Sequence, residues 1–192
     1  MNKLILVVGL GGLGLAGYYF YAQSKKSNAS VTQSETTSEN TSNIFDKMIN
    51  ADIGDVINRS GTTVGVRNNN PANIKYYSPI NWNGQQGSDA AGFIIFDTMK
   101  NGVRAAAINL NSYINAGYNT PRKITARWAS GDSQEILNNY AKVVASRAGK
   151  NVDDIVTRAD IANLLDGIIY FENGYQPLSQ NDLYSYVAAA GF

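Results

Sequence analysis

Glutamate is scarce in this chain, and its distribution isolates one residue. Glu35 and Glu39 fall in a stretch of Ser, Thr and Asn, and Glu135 follows Asp132 at a spacing that caps a helix. Glu172 remains, at the C-terminal end of a strongly apolar helical run, beside Phe171 and before Asn173-Gly174. A carboxyl at that position is expected to be partly desolvated and to face the negative end of the helix dipole. Both effects raise its pKa toward the range a general acid needs. The alternative is an exposed terminal Glu beside a glycine helix cap.

A second concentration of chemistry runs from Gly65 to Gly84. Asn68, Asn69, Asn70, Asn73, Asn81 and Asn83 supply carboxamides that both donate and accept hydrogen bonds, and Tyr76, Tyr77 and Trp82 supply flat apolar faces with polar tips. Sugar hydroxyls need paired donors and acceptors, and the carbon faces of pyranose rings need stacking surfaces. The stretch therefore suits the floor of a glycan cleft, with Asn68, Asn69, Asn70, Asn73, Tyr76, Tyr77 and Trp82 as its binding residues. A plain loop is the other reading, with Pro71 fixing φ and the Asn side chains closing local turns. Trp82 is divided evenly between sugar stacking and core packing.

What the chain lacks narrows the chemistry further. With no His and no Cys, His-activated nucleophiles, thiol redox chemistry and Cys/His zinc sites are unavailable to it. Proton transfer must come mainly from carboxylates, and no cofactor or metal is expected. Sixteen basic side chains against fifteen acidic ones give a net charge of +1, which offers nucleic acid no electrostatic footing.

The elements that must position these residues follow in chain order. Leu4 to Ala22 is apolar and small throughout and, at 1.5 Å per residue, covers about 28 Å, the thickness of a bilayer's hydrocarbon core. It is expected to be a single transmembrane helix, ending in an aromatic belt of Tyr18, Tyr19 and Tyr21 before Lys25 and Lys26. A cleaved signal peptide competes with this reading, but large aromatics stand where small residues are wanted. Gly12 and Ala16 give the spacing for close contact with a second helix. Residues 23–42 read as a flexible polar linker spanning roughly 25 Å. The globular domain is expected over 43–192, mostly α (α+β). It opens with an amphipathic helix from Ile44 to Ile57, and short strands follow at Thr62 to Val66, Ile74 to Tyr77 and Phe93 to Phe96. Helices are expected after Asp97 or Thr98, after Thr120-Pro121, after an Asp132/Glu135 capping box, after Thr157 or Asp160, and after Ser179. Trp128 and Tyr140 fall at core spacing.

Two resemblances add to this reading. Val66 to Lys75, Trp82-Asn83-Gly84, Gly92-Phe93 to Phe96-Asp97, Gly102 to Ala105, Arg127-Trp128-Ala129 and Glu172-Asn173-Gly174 together resemble a family of phage virion structural proteins, members of which occur in membrane-containing phages. Glu172-Asn173-Gly174-Tyr175 also resembles the motif that ends the catalytic helix of lysozyme-like muramidases, glucosaminidases and lytic transglycosylases. Asn70 to Lys75 with Trp82 and Gly84 resembles their cleft-lining segment. The order of the two motifs is reversed here, and a circularly permuted lysozyme-like domain would restore the geometry.

The expectation is a membrane-anchored virion protein with a lysozyme-like helical domain that cuts peptidoglycan at phage entry or exit. Glu172 is its acid, and Asp89, Asp97 and Asp182 are candidates should a second carboxylate be needed. Its expected partners are glycan strands and the lipid bilayer, with other virion proteins or a second copy engaged through the Gly-rich helix. A non-enzymatic virion membrane protein that binds capsid or glycan is the rival, and a lysis enzyme whose anchor leaves the membrane is a third reading.

Overall fold

The computed structural model describes residues 62–192. The expected transmembrane helix, the linker and the helix from Ile44 to Ile57 lie outside the described residues. About 52% of those described are helical and one sheet has two strands, so the domain is mostly α with a small β element.

The first element corrects the sequence reading. Thr62 to Val66 is not a strand: Val64–Arg67 forms one helical turn, α1, with Thr63 as its N-cap. Val64 and Val66 favour extended backbone locally, but close packing at Gly65 overrides that preference. A side chain there would meet Asn173 Oδ1 at 2.7 Å and the Asn70 carbonyl at 3.1 Å. Ile74 to Tyr77 likewise contributes one isolated bridge, Lys75 to Phe93, in place of a strand. The sheet pairs β1 (Gln85–Ser88) with β2 (Ile94–Phe96) antiparallel, with a bulge between Gln85 and Gly87. β1 carries no β-branched residue and alternates at the surface, so it owes its extension to pairing with β2.

Five longer helices follow. α2 (Met99–Asn115) starts at Thr98, whose hydroxyl accepts from the Asn101 N–H, and it buries Val103, Ala106, Ala107, Leu110 and Tyr113. α3 (Pro121–Trp128) begins with proline, which has no N–H to lose at a helix start. α4 (Gln134–Arg147) is capped by Ser133 and not by Asp132: the Ser133 hydroxyl accepts from the Ile136 N–H, and Glu135 sits exposed in the first turn. A 3-10 turn (Arg158–Asp160) leads into α5 (Ile161–Asn173), which stops where Gly174 turns left-handed at φ 75°. α6 (Gln180–Ala188) is capped by Ser179, as expected.

α5 is the centre of the core. Its Leu164, Leu165, Ile168 and Ile169 have no exposed surface, each worth about 1.5–3 kcal/mol of burial. It packs on α2, α4, α6 and α1. Its crossing with α4 is close because Gly167 lies against Val144, whose Cα would be 2.6 Å from an added Cβ. α2 approaches the Asn-rich segment just as tightly at Gly102, where a Cβ would fall 1.9 Å from the Asn69 carbonyl oxygen.

Candidate functional site

The Asn-rich segment after α1 doubles back on itself. Asn69 and Asn73 both hold φ at 51°, a left-handed conformation that asparagine adopts more readily than other side-chain-bearing residues. Asn70 is wholly buried and its carboxamide holds backbone. Its Nδ2 donates to the carbonyls of Ile74 and Ile94 at 2.8 and 2.9 Å, and its Oδ1 accepts from the Ile74 N–H at 2.9 Å. Asn69 Nδ2 donates to the Phe96 carbonyl at 3.0 Å, and Asn68 Nδ2 to Asp89 at 2.7 Å. These side chains fix the segment against the β-hairpin.

That bracing delivers Asn73 to Glu172. Asn73 Nδ2 donates to Glu172 Oε2 at 3.0 Å across 99 residues of sequence, and the Tyr140 hydroxyl donates to Oε1 at 2.7 Å. Glu172 is 5% exposed. Phe171 stacks on the Tyr140 ring at 3.9 Å between centroids, which pins the hydroxyl in place. Burial, and then the charge and hydrogen bond of Glu172, push the Tyr140 pKa well above 10.0, with Asp132 adding to the same direction. The phenol therefore stays a donor at neutral pH.

Asn173 clamps the same junction from the other side. Its Nδ2 donates to the carbonyls of Pro71 at 2.6 Å and Ile169 at 2.8 Å, and its Oδ1 accepts from the Thr63 hydroxyl at 2.6 Å. Trp128 Nε1 donates to the Ala72 carbonyl at 3.2 Å. Asn73 Oδ1, also buried, has no hydrogen-bond partner.

The remaining expected residues are placed differently. Tyr76 and Tyr77 stand 50% and 41% exposed, and Trp82 is half-buried against the core. Asp89 closes the hairpin turn, its Oδ1 accepting from the N–H groups of Ala91 and Phe93 at 2.9 Å each. Burial raises its pKa, but the Asn68 bond and these backbone donors outweigh that and hold it below 3.8. Asp97 is held low by its bond from Asn101, and Asp182 bonds the capping Ser179. Sequence reasoning overlooked Tyr140, set aside as core, and Asp132, assigned to a cap, and gave Asn173 no role of its own beyond its place in the Glu172-Asn173-Gly174 motif. A hydroxyl on an otherwise apolar helix face was the available signal for Tyr140, since a buried phenol needs a partner.

No family model matches the chain. Protein P5 of Pseudoalteromonas phage PM2 is 31% identical to it over 123 residues, which take in 62% of this chain and 76% of that protein. With 31% identity across three quarters of that protein's length, the chain belongs to the family of Protein P5 of phage PM2.

Proposed function

We infer that this is a virion structural protein of a membrane-containing phage whose globular domain cleaves peptidoglycan glycan strands, with Glu172 as the general acid. Kinship with a phage protein supports the setting. The observation that carries the chemistry is the hydrogen bond from Asn73 to Glu172, because it joins the two segments that separately resemble a lysozyme-like cleft and its acid. In the proposed step the Glu172 carboxyl gives its proton to the glycosidic oxygen as the bond to the sugar breaks. The carboxylate then takes a proton from the sugar's own hydroxyl as that oxygen closes an anhydro ring, so one carboxyl suffices. Tyr140 and Asn73 orient it. A hydrolase would need a second acid, for which Asp132 is a candidate beside Asp97 and Asp182, Asp89 being already engaged in its turn. In this proposal the apolar segment 4–22 anchors the domain in the bilayer.

The test is muropeptide analysis of purified peptidoglycan treated with the detergent-solubilised full chain and with Glu172→Gln. Anhydro-muropeptides from the wild type, reduced on the order of 10²- to 10⁴-fold in a variant shown to be folded, are expected. Reducing ends in their place would redirect attention to Asp132. A second reading has its own observation. Both Glu172 oxygens accept from buried side chains, as in a carboxylate that braces three elements. A folded chain giving no product establishes that non-enzymatic virion role.

A further inference from the structure

A polar cleft of about 510 Å³ opens between the end of α4, one face of α5 and the start of α6. It is lined by Arg147, Asn163, Asp166, Gln176, Gln180 and Tyr184. It is separate from Glu172. Asp166 precedes Glu172 by six residues on α5, which places the two about 9 Å apart along the axis and about 120° apart around it. Asn163, Asp166 and Tyr170, at i, i+3 and i+7, share the cleft-side stripe.

The lining is built and rigid. Arg147 Nε donates to Asp166 Oδ2 at 2.7 Å and a second guanidinium nitrogen to Oδ1 at 3.2 Å, while the guanidinium lies over the Tyr170 ring at 4.3 Å. Gln176 Nε2 adds a bond to Asp166 Oδ1 at 2.6 Å. Tyr184, 41% exposed, donates its hydroxyl to Asn163 Oδ1.

These partners decide what can bind. Arg147 is neutralised by a two-bond carboxylate, so the cleft does not attract phosphate, and Asp166 is neutralised in turn, so it does not attract a cation. The walls hold too little apolar surface for an acyl chain. What remains are the Gln180 carboxamide, the amide nitrogen of Asn163 and the exposed ring of Tyr184, Gln176 being taken up by Asp166 and the Leu178 N–H. That set complements a neutral polyhydroxylated ligand, whose vicinal hydroxyls pair with planar amides and whose carbon face stacks on tyrosine. The volume falls within the ~300–1,000 Å³ of small-ligand pockets, room for one or two sugar rings. We propose that the Arg147–Asp166–Tyr184 cleft is a non-catalytic glycan-holding site. This deepens the peptidoglycan reading but stands on its own residues.

The experiment titrates the full chain, carrying Glu172→Gln to prevent turnover, with chitotetraose and with maltotetraose, followed by tryptophan-independent calorimetry. Tyr184→Ala and Gln180→Ala, both at exposed positions, are compared with it. Saturable binding that Tyr184→Ala weakens on the order of tenfold supports the cleft. Chitotetraose alone would mark an acetylated cell-wall strand, and both sugars a general surface polysaccharide. No binding of either sugar, or binding unmoved by both substitutions, overturns the proposal. Binding that persists in a wild-type chain that cuts nothing retains the cleft and rejects catalysis at Glu172.

Discussion

At Tyr140 the difference between a core residue and a site residue comes down to one hydroxyl. Tyr140→Phe keeps the stack on Phe171 but leaves Glu172 Oε1 without that donor in a buried setting. A loss of about 1–3 kcal/mol is expected in denaturant unfolding, together with a shift in any pH-rate profile that Glu172 governs. Asn173 has three partners to lose. Asn173→Ala strands the Thr63 hydroxyl and the Pro71 carbonyl, and urea unfolding should register a loss at or above the upper end of that range. Asn173→Asp is a sharper probe, since its second oxygen would face the Pro71 and Ile169 carbonyls, acceptor against acceptor. Raised pH should then destabilise the variant more than the wild type.

Among the elements, close approach through glycine sets the geometry. Gly102→Ala would drive a methyl into the Asn69 carbonyl, which no rotamer can relieve because the obstacle is backbone. We expect it to cost more than Gly167→Ala at the α4 and α5 crossing, where the nearest atom is 2.6 Å away, and thermal melts of the two variants rank them. Much of this level was legible in the sequence. The periodicity of Val103, Ala106, Leu110 and Tyr113, the Thr98, Thr120 and Ser179 caps, and Pro121 at a helix start all specify helices locally. β1 was not legible, because Gln85-Gln86-Gly87-Ser88 carries no preference of its own and extends only once Ile94 and Phe96 are beside it. Val64 misled for the opposite reason: its β-branch pointed one way and the packing at Gly65 the other. Glu172 was isolated by its rarity and its helix end. Tyr140 escaped notice because helical spacing marks what is buried and is blind to which buried atom needs a partner.

For the domain as a whole, acid should be more damaging than neutral pH. Asp89, Asp97, Asp153 and Asp160 are all held below the ordinary 3.8. For Asp153 the leading cause is the bond from Arg122. For Asp160, burial pulls upward but is outweighed by the Thr157 N–H and Lys150. A depressed folded pKa means that the unfolded chain takes up protons first. The stabilisation is therefore complete above the unfolded value, near 4, and drains away as pH falls through the lower folded values. Melting temperatures from pH 6 to 2 should be flat at first and drop below about 4, and less steeply in Asp89→Asn, which has already lost one contributor. Tyr140 works at the other extreme. With its folded pKa raised, its contribution is intact below 10 and is lost as pH rises beyond that.

The Thr63 clamp has a mechanical side. Thr63 caps α1, and its hydroxyl is tied to Asn173, adjacent to Glu172. A displacement of α1 is therefore passed by a single hydrogen bond to the junction that holds the carboxyl. Load placed on α1 would register at the Glu172 carboxyl's neighbour without first passing through the helices of the core.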